Sequence, residues 1–101
     1  MKHGTVIRTD LVELWRWHVR KILHVLDCDQ SDLSRKIGVS RQSVSYWLNN
    51  TDLYLSTIDF LASMLAIREM IRETDVHNEL KLVALRYWKE IMDNYREKGL
   101  Y

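Results

Sequence analysis

Apolar residues recur at three- and four-residue steps along most of this chain, the spacing that places side chains on one face of an α-helix. The clearest stripe lies between residues 10 and 26, at Leu11, Leu14, Trp15, Val19, Ile22, Leu23 and Leu26. Asp10, followed three residues later by Glu13, predicts the N-cap of this first helix as a variant of the capping box. Strand-like alternation is limited to residues 5–7, so the pattern predicts an all-α fold.

Two short helices are predicted in the middle of the chain. Asp29 is a suitable N-cap for the first of them, which should end at Gly38, where a left-handed backbone conformation needs no Cβ. Ser40 then caps a third helix over residues 41–49, and residues 49–52 have the composition of a turn. The inward residues of the two helices are Leu33, Ile37, Val44, Trp47 and Leu48.

Two longer helices complete the prediction. The fourth starts at Ser56 or Thr57 and reaches about Glu73, and its expected inward residues are Ile58, Leu61, Met64, Leu65 and Ile71. The fifth starts at Thr74 or Asp75 and ends near Lys98, before Gly99. Its apolar stripe consists of Val76, Leu80, Val83, Ala84, Tyr87, Ile91 and Tyr95.

The composition is that of a small globular protein, one domain or one domain with an extra helix. Of its 101 residues 47% are hydrophobic and 29% are charged. No apolar run approaches the roughly 20 residues that span a bilayer, and the N-terminus lacks the pattern of a secretory signal. The single cysteine, Cys28, allows no internal disulfide and is expected to serve as a small buried hydrophobe. We therefore expect a cytoplasmic protein without metal or cofactor.

The net charge of +1 neither favours nor excludes a nucleic-acid partner. Its distribution along the chain is uneven, because residues 1–26 carry five basic and two acidic side chains, and residues 30–50 carry three basic and one acidic. The C-terminal third, residues 68–101, is balanced. The basic excess therefore lies in the first half of the chain.

Residues 30–49 have the features of a helix-turn-helix, two helices joined by a short turn that contains a glycine. Ser34 provides the small side chain that a close helix crossing requires, and Gly38 suits the corner. The outward residues of the third helix are polar and clustered near its N-terminus, the end that enters the major groove of DNA. These predicted base-reading residues are Arg41, Gln42, Ser43, Ser45 and Tyr46.

Residues 30–65 resemble the phage-repressor family, the Cro-type or xenobiotic-response-element helix-turn-helix proteins. The matching positions are Gln30, Leu33, Ser34, Ile37, Gly38, Val39, Ser40, Val44, Trp47, Asn49, Ser56, Ile58 and Leu61. The resemblance implies a lambda-repressor-like domain of four to five helices that binds double-stranded DNA and represses transcription. It implies phosphate contacts by Gln30 and Asn49, to which we add the neighbouring Ser40 and Asn50.

The sequence also departs from the family pattern. Members often pair an arginine on the first helix with a glutamate after the tryptophan of the third, and those places are Leu23 and Leu48 here. We expect packing to replace this charge pair. The glycine usual after Asn49 is Asn50, the next best residue for a left-handed conformation, and the proline common before the fourth helix is absent.

The chain is divided into an arm (residues 1–9), a DNA-binding domain (10–73) and a C-terminal helix (74–101) that is predicted to form a homodimer. The predicted interface residues are Leu80, Val83, Tyr87, Trp88, Ile91 and Tyr95. Simple packing of this helix within the chain is the alternative. The arm, with Lys2, His3 and Arg8, either follows DNA or is a disordered end.

Two other functions compete with that of a DNA-binding regulator. In one, the last helix docks on a protein partner, as in an antitoxin whose helix-turn-helix regulates its own synthesis. In the other, the protein is an enzyme, for which the sequence contains no nucleophile–base pair, phosphate loop or metal cluster. The four histidines, His3, His18, His24 and His77, show no carboxylate or cysteine at ligand spacing and are expected to be solvated or packed.

Overall fold

The computed structural model describes residues 6–50 and 54–98. Within these ranges the chain forms five α-helices, Thr9–Leu26 (α1), Gln30–Ile37 (α2), Arg41–Asn49 (α3), Thr57–Glu73 (α4) and Asn78–Lys98 (α5). The predicted all-α fold with a long last helix is confirmed. None of these five helices is both long enough and apolar enough to cross a membrane.

The stripe predicted for α1 forms the centre of the core. Trp15, Val19 and Ile22 are fully buried, and the indole Nε1 of Trp15 donates a hydrogen bond of 2.9 Å to the Ser63 hydroxyl on α4. The predicted cap of this helix is wrong, because α1 begins at Thr9 and no side chain caps it. The carboxylate of Asp10 instead accepts from the backbone N–H of Leu11, at 2.9 Å.

The buried face of α4 differs from the prediction. Met64 and Ile71 are buried as predicted, but Ile58 and Leu65 are 79% and 67% exposed. The other buried apolar residues of α4 are Phe60, Ala66, Ile67 and Met70. The error arises because α4 carries apolar residues on two faces, so that periodicity alone does not decide which face meets the core. The structure buries the face with Phe60, whose ring stacks on Tyr95 of α5 at a centroid distance of 5.0 Å.

The last helix begins later than predicted, at Asn78 rather than near Thr74. Thr74 closes α4 instead, since both its backbone N–H and its hydroxyl donate to the Met70 carbonyl, at 2.9 and 2.6 Å. From Asn78 onward, α5 packs mainly along α1 and also against α4, with Ala84 and Ile91 fully buried. The boundary predicted at residues 73/74 therefore falls in the turn between two helices that share one core.

One histidine pairs with a carboxylate that is distant in the sequence. His18 of α1 is buried, and its Nε2 lies 2.8 Å from a carboxylate oxygen of Glu90 on α5. The Tyr87 ring meets the His18 ring edge-on, with the centroids 5.2 Å apart. The sequence did not reveal this contact because 72 residues separate the two partners.

The start of the described chain is attached to α4. Val6 forms an isolated antiparallel bridge with Ser56, and the backbone N–H of Ile7 donates to the Leu55 carbonyl at 2.9 Å. Ile7 itself is buried. The C-terminal end of the predicted arm is thus held by the fold, whereas Lys2 and His3 lie outside the described residues, as do Gly99 and residues 51–53 of the turn after α3.

Gly38→Ala is expected to lower the free energy of unfolding by about 1 kcal/mol, because a left-handed conformation costs a residue with a Cβ about that much. Gly38 ends α2 with a φ of 90°, and an added Cβ would meet no atom within 4 Å, so the cost is conformational and not steric. Gly38→Asn is the matched control and should cost less, since asparagine tolerates this region. Urea unfolding measures both variants, and equal losses would contradict the explanation.

Candidate DNA-binding surface

The first helix of the motif, α2, is anchored at its N-terminus by a reciprocal capping box. The Asp29 carboxylate accepts from the backbone N–H of Asp32, and the Asp32 carboxylate accepts from that of Asp29, both at 2.9 Å. Asp32 also pairs with Arg35, so its negative charge is compensated within the helix. Leu33 and Ser34 are buried as predicted, and the Ser34 hydroxyl donates to the Ser31 carbonyl at 2.9 Å.

Asp29→Ala is expected to destabilise the protein at neutral pH and to have a much smaller effect in acid. The pKa of Asp29 is lowered, chiefly because the backbone N–H of Asp32 donates to its carboxylate. A carboxylate with a lowered pKa in the folded state stabilises that state above its unfolded pKa, near 4, and this contribution is lost as the pH falls through the folded value. Urea unfolding of both proteins from pH 7 to pH 2 tests this; a constant difference would contradict the role of the charge.

The second helix, α3, is positioned by its cap and its buried face. The Ser40 hydroxyl accepts from the backbone N–H of Ser43 at 3.1 Å, which confirms the predicted N-cap. Val44 and Leu48 are fully buried and Trp47 is 8% exposed. With this face in the core, the opposite face of α3 points away from the protein.

The predicted base-reading residues lie on that outward face. Arg41, Gln42 and Tyr46 are exposed, and Ser43 and Ser45 are half-buried beside them. Gln30, predicted to bind phosphate, is half-buried at the first position of α2, where the backbone N–H groups have no partner within the helix. Donors on both helices of the motif are therefore at least partly accessible to solvent.

Asn49, at the end of α3, is held by its neighbours. Its Nδ2 donates to the carbonyl and hydroxyl of Ser45, at 2.9 and 3.1 Å, and its Oδ1 accepts from Arg20 of α1 at 2.7 Å. The Asn49 side chain, which is predicted to bind phosphate, is therefore occupied by contacts within the protein, and it links α1 to α3.

Two arginines of α1 hold the C-terminal end of α3, and sequence reasoning missed both. The Nε of Arg16 donates to the Trp47 carbonyl at 3.1 Å and its Nη2 donates to the Asn50 carbonyl, while Arg20 donates to the Leu48 carbonyl. The last carbonyls of a helix have no partner within it, and α3 has no basic residue in its last turn. The sequence signal that could have identified them is their four-residue spacing, which places both arginines on one side of α1 and outside its apolar stripe.

The structure shows what replaces the residues that are usual in the phage-repressor pattern. Leu23 and Leu48, which stand where a charge pair is common, are both buried in the core. The prediction that Asn50 adopts a left-handed conformation is wrong, since its φ of −94° and ψ of 112° are those of extended backbone. In this extended conformation its carbonyl accepts from Arg16.

The family model of the Cro/C1-type helix-turn-helix DNA-binding domain matches residues 18–70, more than half of the chain. The chain belongs to this family. Neither a curated protein nor a solved structure matches it. The match runs from within α1 to within α4 and includes the whole of α2 and α3. This Cro/C1-type domain therefore places the protein among DNA-binding transcription regulators, a class that is typically not enzymatic.

The residues predicted to form a dimer interface are mostly used inside the chain. Ile91 is fully buried, Tyr95 stacks on Phe60, and the indole N–H of Trp88 donates to the Met64 carbonyl at 2.7 Å. Ile91 could contact a second copy only if α5 left the core, whereas Trp88 and Tyr95 are half-buried. Leu80, which is 42% exposed, and the half-buried Val83 are more accessible.

Cys28 is half-buried beside the core, with its sulfur 3.9 Å from the Thr74 hydroxyl. Burial raises the pKa of its thiol. The thiolate, which is the reactive form of cysteine, is therefore disfavoured here, in keeping with the expected role as a small hydrophobe.

Proposed function

We propose that this Cro/C1-type protein is a sequence-specific repressor that binds an inverted-repeat operator as a homodimer. The observation that carries the proposal is the outward face of α3, where Arg41, Gln42 and Tyr46 are exposed on a helix fixed by its N-cap, its buried face and two arginines. Arginine suits bidentate contact with guanine and glutamine suits adenine.

Phosphate contacts in this proposal come from the edges of the same surface. Gln30 at the start of α2 and Ser40 before α3 provide an amide donor and a hydroxyl donor beside the N-termini of the two helices. Asn49 contributes indirectly, because its Oδ1 accepts a hydrogen bond from Arg20 and so holds the Arg20 side chain in place. Asn50 is the residue that follows Asn49 in the chain. Such contacts set affinity and orientation, and the base contacts choose the sequence.

Selection of duplexes from a random DNA pool tests this function. An operator with two-fold symmetry and half-sites about one DNA turn apart is expected for a dimeric reader. Enrichment of a single half-site would indicate a monomeric reader. Absence of enrichment at salt low enough to retain weak complexes would overturn sequence-specific binding, because phosphate contacts strengthen as salt falls.

The dimer of this proposal uses the exposed face of α4. Ile58 and Leu65 are seven residues apart, hence on the same side of the helix, and both are more exposed than Leu80 of α5. Large exposed apolar side chains that share a face are typical of surfaces that bind another protein, and a two-fold axis would pair this face with itself.

Leu65→Asp is expected to convert the dimer to a monomer, because it would bury an unpaired charge at the interface. Leu80→Asp is the matched control on α5 and should leave the dimer intact. Sedimentation equilibrium measures both. A monomer for Leu80→Asp and a dimer for Leu65→Asp would instead assign the contact to α5, as the sequence predicted.

A further inference from the structure

The outward face of α1 has a tryptophan that no part of the described fold covers. Trp17 is 67% exposed, and the helix around it is basic, since residues 14–26 include two arginines, a lysine and two histidines but no acidic residue. Lys21 Nζ lies 5.9 Å from the centroid of the Trp17 ring and 5.4 Å from that of Tyr87. The cation thus bridges two aromatic rings on neighbouring helices.

A groove of about 400 Å³ lies between these rings, lined by Trp17, Arg20, Lys21, His24, Val25 and Tyr87. Its floor is aromatic and aliphatic, and its remaining lining groups are basic. A second groove of about 370 Å³ on the other side of Trp17 is lined by Glu13, Arg16, Trp17, Arg20, Leu48 and Asn49. Glu13 is the one acidic residue in either lining, and the nearby Glu90 is bound to His18.

We propose that this face binds an acidic peptide segment of a partner protein. An apolar side chain of the segment lies between Trp17 and Tyr87, and its carboxylates pair with Lys21 and Arg20 at the edge. Charge complementarity favours this occupant, because a basic rim without a neutralising acid repels another basic surface and attracts an acidic one. Exposed tryptophan and arginine are also the residue types that most often dominate binding energy at protein interfaces.

The position of the groove favours a peptide over DNA. None of the predicted base-reading or phosphate-binding residues lines the first groove, whereas the second groove includes Asn49 at the C-terminal end of α3. The first groove lies farther along α1, toward Tyr87 of α5. An apolar peptide side chain gains binding free energy when it is buried against an apolar floor, whereas a charged phosphate backbone does not. The inference does not rest on the proposed operator binding.

The experiment is selection of peptides from a phage-displayed random library on the wild-type protein, followed by titration of the selected peptides. We expect sequences that combine aspartate or glutamate with a large apolar residue, and an affinity that falls as salt rises. Trp17→Ala and Lys21→Ala should each weaken binding about tenfold or more, the usual effect of removing a central interface residue.

Two matched variants separate this face from others. Arg68→Ala removes a cation that lies 5.2 Å from the Trp88 ring on a different part of the surface, and Gln42→Ala alters the DNA-facing helix; both should bind the selected peptides as the wild type does. Circular dichroism confirms that the variants, all of exposed residues, remain folded.

The following results would overturn the proposal. No enrichment, or peptides without acidic residues, would exclude an acidic partner. Peptide binding that is unchanged in both Trp17→Ala and Lys21→Ala would place the site elsewhere. A loss of duplex affinity in Trp17→Ala would assign the face to DNA, and conversion of a dimer to a monomer by the same variant would assign it to a second copy of the chain.

Discussion

The Arg41→Ala, Gln42→Ala double variant is expected to lose most of its operator affinity while keeping its fold and its weak binding to unrelated DNA. Both side chains are exposed on α3, so their removal leaves the core intact. Each bidentate base contact contributes about 1–3 kcal/mol, so the pair should contribute about 2–6 kcal/mol, a loss of roughly 30-fold to 10⁴-fold in affinity.

Binding to a selected operator and to a scrambled duplex, at the same salt concentration, measures this effect. The matched control is Arg96→Ala, which removes an exposed arginine that pairs with Asp93 three residues away on α5. We expect this control variant to lose only a little affinity, and to lose the same amount for both duplexes. If the double variant lost the same factor on operator and scrambled DNA, Arg41 and Gln42 would be phosphate contacts and base reading would lie elsewhere.

The second large effect is expected from Arg16→Ala, Arg20→Ala, which should lower the free energy of unfolding by about 2–4 kcal/mol. The two guanidinium groups donate to the carbonyls of Trp47, Leu48 and Asn50. A hydrogen bond to a charged group contributes about 1.5–3 kcal/mol, and partial exposure to solvent reduces the total. A positive charge at a helix C-terminus is also favourable because it opposes the helix dipole.

Urea unfolding measures this loss, with Arg72→Ala as the matched control. Arg72 is an exposed arginine that pairs only with Glu69 on its own helix among the contacts described, and its removal should cost no more than about 0.5 kcal/mol. An equally small effect in the double variant would show that water replaces the arginine caps without cost.

The same arginines should affect DNA binding through geometry as well as charge. Arg20 contacts both the Leu48 carbonyl and the Asn49 Oδ1, and a lysine has the charge but not the planar arrangement of donors that reaches two acceptors. Arg20→Lys should therefore restore little of the operator affinity lost in Arg20→Ala if Arg20 positions α3. Full recovery with lysine would show that only its charge acts, as in a direct phosphate contact.

How much of the fold the sequence predicts depends on how local the information is. Asp29, Gly38 and Ser40 act within their own helix or turn, and the structure confirms each of them in its predicted place. The outward set on α3 follows from the same local logic, because Val44, Trp47 and Leu48 fix which side of a nine-residue helix is buried. These features alone identified the helix-turn-helix and its family.

Which apolar face of a helix is buried, and against what, is decided by contacts between helices. On α4, two apolar faces compete, and the choice of the Phe60 face over the Ile58 face depends on the contact with Tyr95 of α5. On α5, Tyr87, Trp88, Ile91 and Tyr95 pack against the core, and their contact with a second copy stays a prediction. Apolar periodicity predicts that one face of a helix is buried, but it does not predict which part of the protein covers that face.

By itself the sequence determined the five helices, the caps of α2 and α3 and the polar face of α3, because these depend on residues within one or two turns of one another. Only the tertiary structure decided that Arg16 and Arg20 hold the end of α3, that His18 meets Glu90, and that Trp17 stays exposed between two grooves. Each of these features depends on chain segments that are distant in sequence. The charge or apolarity of one residue does not show which distant residue it will contact once the helices have packed.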